Sequence, residues 1–163
     1  MKKLFLIRHA KSDWSDNTLK DFDRGLNARG LKDAPFMGKL LKGRNIIPDL
    51  IISSPALRTK LTIEILLKEM NLEQEIIYDE SIYEAPFINL KKVVNMIDEQ
   101  FNTVFLVGHN PGLCDFANSL CNEPFENIPT CGIVELNFNT NFWNNVSKEN
   151  SKLISFEYPK KYK

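Results

Sequence analysis

The only two histidines of this 163-residue chain each follow a short apolar run. His9 follows Arg8 at the end of the first run, and His109 follows Gly108 at the end of another. A short, continuous apolar run bounded by turn residues is typical of a strand buried on both faces. Open α/β sheets place their ligand sites at the ends of such strands. For one histidine alone, a local structural hydrogen bond would be the simpler interpretation, but the neighbouring residues favour a shared site.

Two arginines accompany the histidines. Arg8 directly precedes His9, and Arg58 is predicted in the first turn of the helix that follows the second strand. His109 precedes the predicted start of another helix. Helix N-termini favour anions because their backbone N–H groups are free, and arginine side chains match phosphate oxygens. The set suits a phosphoryl group that one histidine nitrogen attacks while Arg8, Arg58 and the other histidine hold its charge. Because arginines would neutralise that charge, the chemistry requires no metal ion and no other cofactor.

The elements that must position these residues alternate between strand and helix along a single domain, residues 1–163. The predicted strands are 3–7, 50–52, 76–77, 104–107, 133–138 and 153–158. Helices are predicted over 28–42, from Ser54 onward, around 90–97 and from Asn110 to Leu120. This order of elements predicts an α/β fold with a mostly parallel sheet. A chain of this length can bury a core and cover both faces of such a sheet.

Three helix starts have recognisable capping residues. Asn27 is a plausible cap for the first helix, and Ser54 and Asn110 are each followed by proline, which is favoured at the first helical position. Pro35 lies inside the first helix and is expected to kink it or shift its start. The buried face of the helix after Ser54 is predicted to consist of Leu57, Leu61 and Ile65.

Composition and charge exclude several classes of protein. The 21 basic and 21 acidic residues cancel, so no net field favours nucleic acid or an anionic membrane as partner. The first apolar stretch is too short for a signal peptide, and no segment reaches transmembrane length. Three cysteines argue against a disulfide framework, and with His109 they match no zinc-ligand spacing. We expect a cytoplasmic monomer that holds no metal.

Four blocks of the sequence resemble the histidine phosphatase superfamily. Residues 6–14, LIRHAKSDW, are similar to its Arg-His-Gly signature, in the alanine version that resembles the SixA-type phosphohistidine phosphatases. The blocks that follow in the family's order are 21–30 (DFDRGLNARG), 53–59 (SSPALRT) and 107–112 (VGHNPG). The resemblance implies a three-layer α/β/α sandwich with a mostly parallel central sheet, similar to phosphoglycerate mutase and without a cap domain.

The resemblance also implies roles for four residues, carried over position by position. His9 becomes the transient phosphohistidine, while Arg8, Arg58 and His109 bind the phosphoryl group. The matched blocks span most of the chain in the right order. Together they are specific, although any one of them alone would be a weak match.

Two further candidates, Arg24 and Glu84, are each open to a second interpretation. Gly25 stands where the SixA-type branch commonly has proline, so Arg24 is either a further phosphate ligand or a charge of the loop. Larger members of the superfamily use a carboxylate after the third strand as general acid, and Glu84 lies in about that place. The alternative for Glu84 is an exposed glutamate near a helix start. His109 is an alternative proton donor, because a histidine beside phosphate oxygens is expected to be largely protonated near neutral pH.

Two features bear on the substrate. The segment between Arg58 and His109 holds alternating helices and strands and leaves no room for a lid, which small-substrate phosphatases often use to exclude water. An imidazole leaving group also needs less help from an acid than an alkoxide does. We therefore expect a protein phosphohistidine as substrate, in a histidine-based signalling or phosphotransferase pathway. The alternatives are a small phosphate ester, such as a sugar phosphate, and a non-catalytic phosphoryl-binding module, which the intact His9 disfavours.

Overall fold

A six-stranded sheet forms the centre of the structure, a computed structural model that describes residues 1–163. The strands are β1 (Lys2–Arg8), β2 (Leu50–Ser53), β3 (Ile77–Tyr78), β4 (Thr103–Gly108), β5 (Ile133–Phe138) and β6 (Ser151–Glu157). Their spatial order is β3-β2-β4-β1-β5-β6. Strands β1 to β4 are mutually parallel, whereas β5 pairs antiparallel with both of its neighbours, β1 and β6. All six predicted strands are therefore confirmed.

Four helices cover the two faces of the sheet. They are α1 (Ala28–Gly43), α2 (Leu57–Met70), α3 (Phe87–Asn95) and α4 (Gly112–Leu120). Along β1, Leu4 and Leu6 join the apolar cluster formed with α3 and α4, whereas Phe5 and Ile7 join the cluster formed with α1 and α2. The alternation follows from the two-residue period of a strand. The result is the predicted three-layer α/β/α sandwich, with no cap domain.

The starts of the helices agree only in part with the sequence predictions. The Asn27 side chain caps α1 by accepting a hydrogen bond from the backbone N–H of Gly30, as predicted, and Pro35 does not shift the start of this helix. The predicted caps Ser54 and Asn110 are wrong, because α2 begins at Leu57 and α4 at Gly112. The Ser54 side chain instead hydrogen-bonds with His109, and the Asn110 side chain hydrogen-bonds with residues 127 and 128.

The predicted buried face of α2 is right only in part, because Leu61 and Ile65 are half-buried against the core but Leu57 is not buried. Leu57 is 37% exposed, and Leu57 and Leu61 lie against Gly25 in the loop 11–27. The face of α2 that packs on the sheet contains two threonines, Thr59 and Thr62, whose hydroxyl groups donate to backbone carbonyls. Hydrogen bonding removes the cost of burying these polar groups. The fully buried face of α2 adds to these threonines the apolar residues Ile63, Leu66, Leu67 and Met70, which the sequence prediction did not include.

None of the four helices combines the length and the apolar composition that crossing a membrane would require.

Candidate active site

The two histidines lie side by side at the carboxyl edge of the sheet, as predicted. His9 follows β1 and His109 follows β4, and these strands are parallel neighbours in which Arg8 aligns with Gly108. The centres of the two imidazole rings are 5.3 Å apart. Both side chains are buried. The adjacent strands therefore bring together two residues that are far apart in the sequence.

Hydrogen bonds fix the orientation of the His9 ring. Its Nδ1 lies 2.7 Å from the carbonyl oxygen of Ala10, so Nδ1 carries the proton and donates it. The backbone N–H of Ala10 in turn donates to the Thr62 hydroxyl of α2 at 2.9 Å. The other ring nitrogen, Nε2, is left with a free lone pair. This is the arrangement that a nucleophilic imidazole needs.

The His109 ring is held by the residue that was predicted to cap α2. Its Nε2 lies 2.8 Å from the Ser54 hydroxyl, whose oxygen also accepts a hydrogen bond from the Ala56 N–H. The edge of the ring packs against Tyr83, with the two ring centres 5.5 Å apart. Nδ1 of His109 is buried and has no partner within the protein. When the Ser54 hydroxyl donates to Nε2, the ring proton lies on Nδ1 and can be donated to a bound oxygen.

Both imidazole rings are neutral at neutral pH in the free site. Burial lowers the pKa of His9 to about 4; the charge of Arg58 adds to this effect, and the hydrogen bond to Ala10 opposes it. Burial and then the charge of Arg58 lower the pKa of His109 to about 3. The expectation that His109 is largely protonated near neutral pH applies to a ring beside bound phosphate oxygens, and it stays a prediction for that state. An anion beside the ring would be needed to protonate it.

Arg58 is the second residue of α2 and lies in the site, as predicted. Its Nη1 donates to the backbone carbonyl of Asp21 at 2.9 Å, and its Nη2 donates to the Asp21 carboxylate at 3.0 Å. The Tyr83 hydroxyl donates to the same carboxylate oxygen at 2.6 Å. These two bonds occupy two of the five N–H groups of the guanidinium, so the others can bind a phosphoryl group.

The Asp21 carboxylate remains ionised while it holds Arg58. Partial burial raises its pKa, but the hydrogen bond from Tyr83 and the charge of Arg58 outweigh that effect and lower it. The pKa of Tyr83 is raised to about 12, first by burial and then by Asp21, so its hydroxyl stays a donor at neutral pH. Asp21 therefore orients Arg58 and is a positioning residue.

Arg8 presents a half-buried positive charge beside His9. Its Nη1 donates to the backbone carbonyl of Ile128 at 2.9 Å, and its Nε is buried without a partner in the protein. Burial, and then the nearby charge of Arg58, lower the pKa of Arg8. A guanidinium nevertheless keeps its proton in proteins. Two adjacent arginines that no carboxylate fully neutralises favour an incoming dianion.

Arg24 is buried, and its hydrogen bonds go to the loop 11–27 and not to the residues around His9. It is 5% exposed, and its guanidinium donates to the carbonyls of Asp13, Asp16 and Leu19 within the loop 11–27. The guanidinium also stacks on Trp14, with its carbon 3.9 Å from the ring centre. The interpretation as a solvated charge is wrong. These contacts favour a structural role for Arg24 over phosphate binding.

Glu84 lies at the mouth of the site. Its side chain is exposed and lies near the Asp21 carboxylate, which is itself bonded to Arg58. Its backbone φ of 49° is in the left-handed region, which is rare for a residue other than glycine. Helix α3 begins at Phe87, three residues after Glu84, so the alternative interpretation as an exposed glutamate near a helix start also fits the structure. Backbone strain of this kind clusters at functional sites.

A model of the histidine phosphatase superfamily (branch 1) matches residues 4–110. The chain belongs to the histidine phosphatase superfamily. An uncharacterised chloroplastic protein of Arabidopsis thaliana is 28% identical over 151 residues, which cover 87% of this chain and 69% of that protein.

Two solved structures extend the comparison. A candidate phosphohistidine phosphatase SixA from Agrobacterium tumefaciens has a TM-score of 0.82 at 27% identity, and the match covers 97% of this chain and 98% of that one. The protein histidine phosphatase SixA complexed with tungstate has a TM-score of 0.78 at 20% identity and is covered to 99%, as is this chain. At that identity the second match shows the fold alone. The superfamily and the SixA-type resemblance predicted from the sequence are confirmed.

Several residues that shape this superfamily site were not given a role from the sequence. They are Asp21, Ser54, Thr62 and Tyr83. Asp21 belongs to a block that resembles the family, and its position three residues before Arg24 was the available signal. For Tyr83, the available signal was its position next to Glu84, the candidate general acid. No group of three or more histidine, cysteine, aspartate or glutamate side chains is arranged to hold a metal ion.

The lowered histidine pKa values predict a loss of stability in acid. The unfolded chain binds a proton on His9 near pH 6.5, whereas the folded protein does so only near pH 4. The free energy of unfolding therefore falls as the pH drops between these values, by on the order of 3 kcal/mol for His9. Urea denaturation at pH 7 and pH 4.5 should show a smaller fall for His9→Asn than for the parent. Parallel pH dependence of the two proteins would contradict the buried neutral ring.

Proposed function

We propose that this member of the superfamily is a metal-independent phosphatase that removes the phosphoryl group from a phosphohistidine of another protein. The observation that carries the proposal is the His9 ring. Its Nδ1 proton is held by the Ala10 carbonyl, its Nε2 is free, and its pKa of about 4 keeps it unprotonated at neutral pH. Arg8 and Arg58 supply two positive charges beside that nitrogen.

In the first step, the lone pair of His9 Nε2 attacks the phosphorus of the substrate. A P–N bond to His9 forms and the P–N bond to the substrate imidazole breaks. The departing nitrogen keeps the electron pair and takes up a proton from water at the open site. Arg8, Arg58 and the Nδ1–H of His109 hold the negative charge on the phosphoryl oxygens as it is transferred. The hydrogen bond from Nδ1 to Ala10 stabilises the positive charge that develops on the His9 ring.

In the second step, water attacks the phosphorus of phosphorylated His9. The P–N bond breaks, inorganic phosphate leaves, and His9 Nε2 recovers its lone pair. The neutral ring is a good leaving group, because the pKa of His9 is low in this site. The enzyme returns to its starting state without a metal ion or an external phosphoryl acceptor other than water.

The openness of the site supports a protein substrate. The fold has no cap domain above the carboxyl edge of the sheet, and the loop 11–27 presents two exposed aromatic side chains, Trp14 and Phe22. Phe22 packs edge-on against Tyr83, whose ring in turn contacts His109. Exposed aromatic side chains are enriched where proteins contact one another. A phosphohistidine on a protein surface can reach such a site without a lid opening.

A competition assay tests the proposal. The protein is offered a histidine-phosphorylated protein domain together with a panel of small phosphate esters, and kcat/KM is measured for each. We expect the phosphohistidine domain to be preferred by at least about tenfold, because imidazole leaves more easily than an alkoxide. A preference for one of the esters would assign the same chemistry to a small phosphomonoester.

The place of Glu84 near the Asp21 carboxylate favours that second candidate enough to require its own test. If Glu84 is the general acid, only an alkoxide leaving group depends on it. We therefore predict that Glu84→Gln loses most of its activity on an alkyl phosphate and keeps most of its activity on phosphohistidine. The measurement is the mutant-to-parent ratio of kcat/KM on each substrate at several pH values.

The control for Glu84→Gln is Glu80→Gln, a substitution of the same kind at a nearby glutamate, four residues earlier in the chain. Glu80→Gln is expected to leave both ratios near one. Equal losses on both substrates in Glu84→Gln would assign Glu84 to binding or structure. No loss on either substrate would exclude it from the reaction.

A further inference from the structure

A basic cleft lies next to Arg8, on the side away from His109. Strand β1 lies between β4 and β5, so His109 follows the strand on one side of Arg8 and Thr130 precedes the strand on the other. This cleft, which we call the side cleft, has a volume of about 220 Å³. Four cationic residues and one carboxylate contribute to its lining: Arg8, Lys11, Arg29, Lys160 and Asp33.

The single carboxylate of the side cleft does not neutralise it. The Asp33 carboxylate pairs with Lys163 at 3.2 Å and with Arg29 at 3.8 Å. Arg8, Lys11 and Lys160 form no ion pair with any carboxylate. The chain as a whole has no net charge, so three unpaired cations in one cleft are a local concentration of positive charge. Such a concentration attracts an anion.

The side cleft is separate from the place where the phosphoryl group is transferred. His9, Arg58 and His109 do not line it, and Arg8 is the one residue common to both. We propose that the side cleft binds a second anionic group of the substrate, a carboxylate or a phosphate, while the phosphoryl group lies at His9. This inference rests on the proposed function, because it concerns the substrate of the same site. Arg8 then contacts both negative groups.

The lining of the side cleft suits such a group. The Thr130 hydroxyl accepts a hydrogen bond from Arg29 at 3.1 Å and keeps its own proton to donate. Lys160 is exposed and Lys11 is half-buried, so both ammonium groups reach the cleft from solvent without a cost of burial. In a phosphorylated protein, the second anionic group is an aspartate or glutamate near the phosphohistidine. In a small substrate, it is a second phosphate.

Two pairs of substrates distinguish these sources. The first pair consists of histidine-phosphorylated peptides that differ only in a glutamate or a glutamine beside the phosphohistidine. The second consists of a sugar bisphosphate and the corresponding monophosphate. For each pair, the ratio of kcat/KM is measured for the parent, for Lys160→Glu and for the control Lys39→Glu. Lys39 is an exposed lysine of α1 that forms no ion pair and does not line the cleft.

We expect the parent to prefer the glutamate peptide by about five- to tenfold at low salt and less at high salt. Lys160→Glu should abolish or reverse that preference, and Lys39→Glu should preserve it. The same pattern on the bisphosphate pair alone would uphold the side cleft and assign it to small substrates. No preference on either pair, or equal effects of the two variants, would overturn the inference. Failure of the parent to act on either peptide would refute the proposed function, while the bisphosphate pair would still test the cleft.

Discussion

His9→Ala is expected to abolish both turnover and phosphorylation of the protein. The alanine removes His9 Nε2, a ring nitrogen that is left with a free lone pair beside Arg8 and Arg58. Losing a covalent nucleophile costs about five to six powers of ten in kcat, which brings the rate below detection in most assays. Parent protein quenched in base after incubation with labelled substrate should carry a phosphate that is stable in base and is lost on later treatment with acid. His9→Ala should carry none.

The matched control for this experiment is His109→Ala. It removes the neighbouring ring, which lies 5.3 Å away, but leaves His9 Nε2 free. We expect His109→Ala to be slow and still to become labelled at His9, because it lacks a phosphoryl ligand and keeps the nucleophile. Undiminished turnover in His9→Ala, or a label that survives acid, would contradict the phosphohistidine intermediate.

The strands and the placement of the histidines could be predicted from the sequence because they depend on local patterns. Uninterrupted apolar runs determine β1 and β4, and a polar residue after each run must lie at the carboxyl edge of a parallel sheet. The position of Arg58 near the start of α2 follows for the same reason. These are consequences of chain order, and they require no knowledge of side-chain contacts.

The helix starts and the contacts of the loop depend on tertiary structure and could not be predicted in the same way. Ser54 has the residue type and the following proline of a helix cap, but its hydroxyl is used by His109. Asn110 has the same pattern, but its amide donates to Asn127 and to the Ile128 carbonyl. A side chain that can cap a helix can equally bind elsewhere. The sequence does not show whether the N–H groups of the helix start or the polar groups of another segment lie closer to such a side chain.

The roles of Asp21 and Tyr83 show the same limit. Their side chains meet across 62 positions of the chain, where the Asp21 carboxylate accepts from the Tyr83 hydroxyl at 2.6 Å and also pairs with Arg58. No period or motif links two such residues, because the loop 11–27, which contains Asp21, meets Tyr83 only in the folded protein. The burial of Arg24 among the carbonyls of that loop could not be predicted either, because it too depends on how the loop folds.

Arg58→Ala is expected to reduce kcat/KM by about two to four powers of ten, since it removes a charge-assisted donor from the developing phosphoryl charge. Arg24→Ala is expected to cost less than about tenfold in kcat, because its guanidinium is bonded to three backbone carbonyls of the loop. Its loss should instead lower the free energy of unfolding, since those buried carbonyls lose their donor. The measurements are steady-state kinetics and urea denaturation of both variants.

The conservative variant Arg58→Lys separates charge from geometry. A lysine keeps the positive charge beside the phosphoryl group but cannot bond both the Asp21 carboxylate and a phosphoryl oxygen with a planar fork. We expect Arg58→Lys to recover only part of the rate that Arg58→Ala loses, with the recovery mainly in KM, because charge attracts the anion while orientation stabilises the transition state. If Arg24→Ala were the slower enzyme while folding normally, Arg24 and not Arg58 would be the main phosphoryl ligand, since the loop contacts alone would not explain a loss confined to kcat.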